Sequence, residues 1–315
     1  MKNKSAGSKR GKVILPKGSL KIKSFLYSQT VAPYIFVLPF LLSFLIFFLY
    51  PTINTIYMSF HEVYGMGNMR FIGLSNYQRL FNQNFYDAIR TNTLYTIFLI
   101  IVLIPLSIVF ATLLNIKYLK GRNFFKSVIF IPALTSIIVA GVAFRLLFGE
   151  SEAAFMNSIL VKLGLPAQRW AFSHTTGMFL MVSLATWKMA GIYMVYFISG
   201  LQAIPDELYE SADIDGANSI SKFTRITLPL LKPIVIYALT IIIFDGYRMF
   251  GESYVFWNEG MPGNIGLTIV RYIYQQAFQR NDMGFGSAIG IVLLAIVLSI
   301  NLIQLKFFGI FKKEE

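Results

Sequence analysis

Charged residues are missing from four long stretches of the chain: 31–60, 91–116, 127–144 and 283–305. Each is close to or above the roughly 20 residues with which a helix crosses about 30 Å of hydrocarbon. None alternates apolar and polar residues over the roughly ten-residue period of a membrane β-barrel strand. Two further stretches are apolar with interruptions: 170–205 holds Lys188, and 233–244 runs on toward Asp245 and Arg248. Charge facing lipid is costly, so spans interrupted in this way are expected to line a bundle interior or a polar route. The pattern predicts an all-α polytopic membrane protein with six spans, at about 33–58, 92–116, 124–148, 176–202, 228–250 and 283–308.

Composition fits this picture: the 315 residues are 56% hydrophobic and only 14% charged. The net charge of +13 is unevenly placed, and Lys2, Lys4, Lys9, Arg10, Lys12, Lys17, Lys21 and Lys23 precede the first acid. Without interleaved aromatics, that segment reads as a cytoplasmic tail that fixes orientation and meets anionic lipid, not as a nucleic-acid arm. Its apolar sequel is too long for a cleaved signal peptide, and no small-residue cleavage site follows. With the tail inside, the short loop carrying Lys117, Lys120, Arg122 and Lys126 is inside too, as are Lys306, Lys312 and Lys313 near the C-terminus. Both termini are thus expected on the cytoplasmic side of the cell membrane. The organisation expected is a tail over 1–30, a membrane domain over 31–311 and a short tail over 312–315.

Few chemistries remain open. There is no cysteine, and His61 and His174 lie far apart without a carboxylate at ligand spacing, so no metal or cofactor is expected. Gly11-Lys12 lacks the remainder of a phosphate-binding loop, and no nucleophile elbow is present. A transport subunit is expected, not an enzyme.

The loop over 203–232 breaks the charge pattern. It should be cytoplasmic, yet Asp206, Glu207, Glu210, Asp213 and Asp215 outnumber its bases. Pro205 stands where a first helical residue would, followed by two carboxylates that favour the positive end of a helix dipole. Gly216 can end that helix, Asn218 or Ser219 can cap a second, and Pro229 and Pro233 mark the first turns of the fifth span. The prediction is helix, sharp turn, helix, membrane. An amphipathic connector resting on the bilayer would share this periodicity.

The string Glu210-Ser-Ala, three residues, Gly216, nine residues, Ile226-Thr-Leu-Pro229 resembles the signature of permease subunits of binding-protein-dependent ABC importers. Ser211 departs mildly from the alanine usual there. Gly200-Leu-Gln-Ala-Ile-Pro205, Leu208-Tyr209 and Ile214-Asp-Gly-Ala217 extend the likeness toward the carbohydrate-uptake branch, the relatives of maltose and glycerol-phosphate permeases. Phe71-Ile-Gly-Leu-Ser-Asn-Tyr77 and Asn92-Thr-Leu94 are similar to that branch's first outer segment and second span. Gly260-Met-Pro262 partly resembles its glycine-glycine-proline element. Gly266 to Gln276, with Asn281-Asp-Met-Gly284, resembles oligosaccharide permeases of low-GC Gram-positive bacteria, of an arabino-oligosaccharide type.

The resemblance implies that Glu210, Ser211, Ala212 and Gly216 are contact and turn residues of a coupling helix seated in a cytoplasmic ATPase. Ile226, Leu228 and Pro229 would set that loop against the fifth span. It implies as partners a second, related permease, two ATPase subunits, an extracellular solute-binding lipoprotein and a sugar. From the interrupted spans, Trp187, Lys188, Tyr193, Asp245, Tyr247 and Arg248 are the candidates to meet substrate, with Asn301 and Gln304 in the same class. Asp245 and Arg248 are spaced to pair along a helix, and a buried ion pair bridging helices would account for them equally. Lys188 is expected to face the route, so that its loss alters uptake more than expression. Two other functions stay open: a permease for an anionic solute such as glycerol phosphate, which would use Lys188 and Arg248, and an ion-coupled transporter working alone. The latter class shows internal repeats and discontinuous midplane helices that are not evident here.

Overall fold

The protein is described from a computed structural model covering residues 28–64, 68–116, 118–258 and 262–309. The basic tail up to residue 27, Gly260-Met261 of the glycine-methionine-proline element and the tail over 312–315 lie outside the described residues. Two compact units divide between Thr55 and Ile56.

In the first unit, α1 (Ala32–Phe44) runs through a π-helical stretch, Leu45–Leu49, into α2 (Tyr50–Ser59). No residue of 32–55 is buried. The helix tolerates Pro39 in its interior. The Thr52 and Thr55 hydroxyls turn back onto the Phe48 and Pro51 carbonyls at 2.7 and 2.8 Å, a fold-back that removes donors otherwise stranded on an apolar surface.

The second unit opens with an element that the all-α expectation did not contain. Strands β1 (His61–Tyr64) and β2 (Asn68–Phe71) pair antiparallel, with Glu62 opposite Arg70 and an ion pair of 2.9 Å between them. Alternation over four residues a strand is too short to stand out beside the apolar blocks. The buried Asn76 of α3 (Ser75–Gln78) donates to the Ser59 and His61 carbonyls and fixes the hairpin.

Helices α4 (Gln83–Leu114) and α8 (His174–Gln202) form the centre and run in the same direction: 87–102 lies beside 174–182, and further along the Ser107 hydroxyl donates to the Ala190 carbonyl. Leu99, Leu103, Leu184, Met194 and Phe197 are fully buried in the core they share with neighbouring helices. Gly191 of α8 lets a third helix approach: a β-carbon there would overlap the Ile129 carbonyl oxygen and the Phe130 Cα of α5 (Arg122–Leu134). Small residues at such crossings are how helices in lipid gain contact, since apolar burial alone gives no advantage there.

Four helical runs are long and apolar enough to cross a membrane: 32–59, α4, α8 and α15 (Met283–Phe307). Two more candidates are bent. Helix α5 meets α6 (Ile137–Leu147) at 100°, and the run Ser219–Leu230 meets α12 (Lys232–Tyr247) at 62°. The sequence predicted an unbroken helix over 124–148; Pro132 and the extended Thr135 and Ser136 break it. Between α12 and α15 lie α13 (Gly251–Phe256) and α14 (Ile269–Ile273), which continues into a π-helical turn, Tyr274–Gln279.

Replacing Gly191 with valine should force α5 and α8 apart. An overpacked crossing costs about 1–3 kcal/mol or more, so the detergent-solubilised protein should melt several degrees lower, with loss of monodispersity on size exclusion.

Candidate functional site: a polar cavity and an exposed lever

Three of the six residues picked from the interrupted spans meet around one cavity. Lys188 comes from α8, Asp245 from α12 and Arg248 from just beyond it, and they line a space of about 360 Å³. Tyr95 and Leu99 of α4, Ile137 of α6 and the segment 249–252 complete the wall. The cavity therefore sits where the bent helices meet the continuous ones.

The Lys188 ammonium does not point free into this space. It donates to the Ala133 carbonyl at 3.0 Å and the Thr135 carbonyl at 2.6 Å. Those oxygens belong to the break between α5 and α6, where the regular ladder stops. A carbonyl withdrawn from water without a donor is costly, and one lysine supplies two part-buried ones. The residue expected on the route is thus also a structural plug.

Asp245 and Arg248 pair at 2.9 Å along one helical turn, with side chains 26% and 67% exposed. The pair bridges no helices, and Arg248 also lies over the Phe244 ring at 4.8 Å. The other three candidates are elsewhere. Trp187 lies outside the cavity, 42% exposed and tilted against Phe144. Tyr193 is buried in the core edge-on to Tyr196, its hydroxyl unpartnered. Tyr247 is buried with its hydroxyl 2.9 Å from that of Thr93. Gln304 bonds Thr240 and the Ile236 carbonyl, and Asn301 donates to the Val297 carbonyl. Both therefore serve the helix bundle.

Sequence reasoning missed Tyr95, Glu252 and the organising residue Asn92. Asn92 is fully buried in α4, and its amide donates to the Gly246 and Tyr247 carbonyls at 2.8 and 3.3 Å. Its side-chain oxygen accepts from the Ile269 amide at 2.8 Å. One side chain thereby closes the C-terminal end of α12 and the N-terminal end of α14. Thr268 and Ser253 continue the pattern by donating to the Met249 and Gly266 carbonyls at 2.9 and 2.6 Å. Asn92 carried a hint, being a polar residue inside a charge-free block. Glu252 fell just past the predicted end of the fifth span, at about residue 250, and was not singled out.

The second feature is the loop over 203–232. Helix α9 (Asp206–Ile214) starts one residue later than predicted, with Pro205 as its cap and Asp206 and Glu207 in its first turn. It ends at Gly216, whose φ of +74° is left-handed, and the Ala217 amide returns to the Ala212 carbonyl at 2.9 Å. Asn218 caps α10 (Ser219–Lys222) through the Ser221 amide at 2.8 Å. A salt bridge of 2.6 Å from Lys222 to Asp213 ties the two helices, and the Tyr209 and Thr227 hydroxyls meet at 2.8 Å. Glu210 and Ser211 are exposed, Ala212 is half-buried, and Ile214 and Ile220 present 88% and 74% of their surface. Ile226 packs on the main core, whereas Leu228 and Pro229 of α11 (Leu228–Leu230) are exposed.

Residues 104–308 match the family of binding-protein-dependent transport system inner membrane components. The chain belongs to this family. Among its relatives, the arabinooligosaccharides transport system permease protein AraP of Bacillus subtilis is 55% identical, with 93% of each chain covered. The trehalose/maltose transport system permease protein MalF of Thermococcus litoralis is 32% identical over 91% of this chain and 97% of its own. A bacterial ABC transporter involved in alginate import shares the fold, with a TM-score of 0.79 at 24% identity over 95% of this chain and 100% of that one. This binding-protein-dependent transport component is thus a transport subunit and not an enzyme, as its sequence predicted.

Replacing Lys188 with methionine removes the donor of two part-buried carbonyls, at up to about 1–3 kcal/mol each. The variant should melt measurably lower in detergent, and uptake should fall along with folded yield. Wild-type melting would remove the plugging role.

Proposed function

We propose that the chain is the six-span permease subunit of an ATP-driven importer that carries an oligosaccharide across the cytoplasmic membrane. Its termini and the loop over 203–232 face the cytoplasm. The four long helices and two bent pairs support six crossings, and the basic short loops support the orientation. The names of the relatives support a sugar cargo. A second, related permease would complete the route, two ATPase subunits would drive it, and an external binding lipoprotein would deliver the sugar.

The observation that carries this reading is the lever. Two helices pinned by Lys222–Asp213 and buttressed by Tyr209–Thr227 leave Ile214 and Ile220 bare. Such a surface fits a cleft on a nucleotide-driven partner, and the exposed Glu210 offers it a carboxylate. The base of the lever is held tightly: a β-carbon on Gly200 of α8 would come within 2.7 Å of Ile234 of α12. A push on the lever therefore reaches the two helices that supply Lys188 and Asp245 to the cavity.

Gly216 tests this without disturbing packing, because a β-carbon there meets nothing within 4 Å. Only the left-handed backbone objects, at about 1–2 kcal/mol for an ordinary residue. In the reconstituted importer, Gly216→Val should uncouple ATP turnover from uptake by about tenfold, while Gly216→Asn, which tolerates that conformation, should keep most activity. Equal transport by both variants would refute the lever.

A further inference from the structure

The charges around the cavity balance before anything enters it. Lys188 and Arg248 are the cations, Asp245 and Glu252 the carboxylates. Both cations have commitments: Lys188 to two carbonyls, Arg248 to Asp245. Asp245 is likewise engaged. Glu252 stands differently. It stands in the first turn of α13, lines the cavity together with Lys188, Asp245 and Tyr95, and makes no ion pair among the described residues. Glu252 lines the space that Tyr95, Lys188 and Met249 share with it.

A carboxylate accepts hydrogen bonds and donates none, and it can take two hydroxyls at once. Hydrogen bonds to a charged acceptor are the strong ones. An anion in this space would meet cations already engaged, Lys188 by two carbonyls and Arg248 by Asp245, and would face the carboxylate of Glu252. Resting on the sugar-importer reading above, we infer that Glu252 is the specificity-determining residue of this cavity. It accepts hydroxyls from an uncharged, polyhydroxylated solute and turns away anionic ones. The same feature argues against a phosphate-bearing cargo.

The test uses the solubilised permease complex with its ATPases and without the external binding protein, so that the permease alone selects. Arabinotriose serves as neutral probe and trigalacturonate as anionic probe, both titrated by saturation-transfer NMR. Wild type should bind arabinotriose at least about tenfold more tightly. Glu252→Gln should weaken arabinotriose about tenfold and strengthen trigalacturonate. A merely structural role would move both probes in the same direction, and that result overturns the assignment. Equal wild-type affinity for the two probes overturns it as well, and needs no variant to assemble. Glu252→Asp, which keeps the charge and shortens the reach, should weaken arabinotriose yet still reject trigalacturonate. The permease reading fails separately, through the Gly216 pair, if uptake is indifferent to the lever.

Discussion

A helix broken inside an apolar environment frees backbone groups that water cannot satisfy, and the architecture of this chain follows from how it satisfies them. Lys188 reaches from a continuous helix to the break between α5 and α6 and takes two carbonyls there. Asn92 reaches from another continuous helix to the end of α12 and the start of α14, and serves three backbone groups. These two polar side chains keep the breaks closed. The breaks in turn create a cavity, since straight helices would pack flush at that level.

The placement of the cavity relative to the lever has a mechanical sense. Helix α8 runs unbroken from beside the cavity to the loop over 203–232, and α12 returns from that loop to the cavity. Straight, tightly packed helices transmit displacement, because packed interiors shift between discrete arrangements rather than yielding smoothly. The bent pairs are where an imposed shift can be absorbed. On the proposed reading, the loop would act as a lever at one end, with the breaks at the other taking up its shift.

Much of this was legible in the residues. The charge-free blocks located the long helices, and the proline and asparagine of the loop over 203–232 located the starts of its two helices to within a residue. Those signals are local: a cap, a left-handed turn and a run of apolar positions need no knowledge of the rest of the chain. What was not legible depends on partners distant in sequence. Lys188 looked like a route residue because an isolated cation in an apolar span usually is one, and nothing near it announced the Ala133 and Thr135 carbonyls. Tyr193 and Trp187 belong to the same helix as Lys188, yet only Lys188 lines the cavity. The hairpin over 61–71 was hidden because its fixing contacts from Asn76 are buried polar bonds rather than a hydrophobic stripe.

The charge inventory also bears on why a membrane domain keeps ionisable groups at all. Each charge around the cavity costs desolvation, which a purely apolar wall would avoid. Lys188 offsets its cost by relieving two carbonyls, and Asp245 and Arg248 offset theirs against one another. Glu252 makes no ion pair among the described residues. On the assignment inferred above, a solute in the cavity supplies the hydroxyl donors that this carboxylate can accept. Selection of cargo and the energetics of the empty fold thus meet at one side chain.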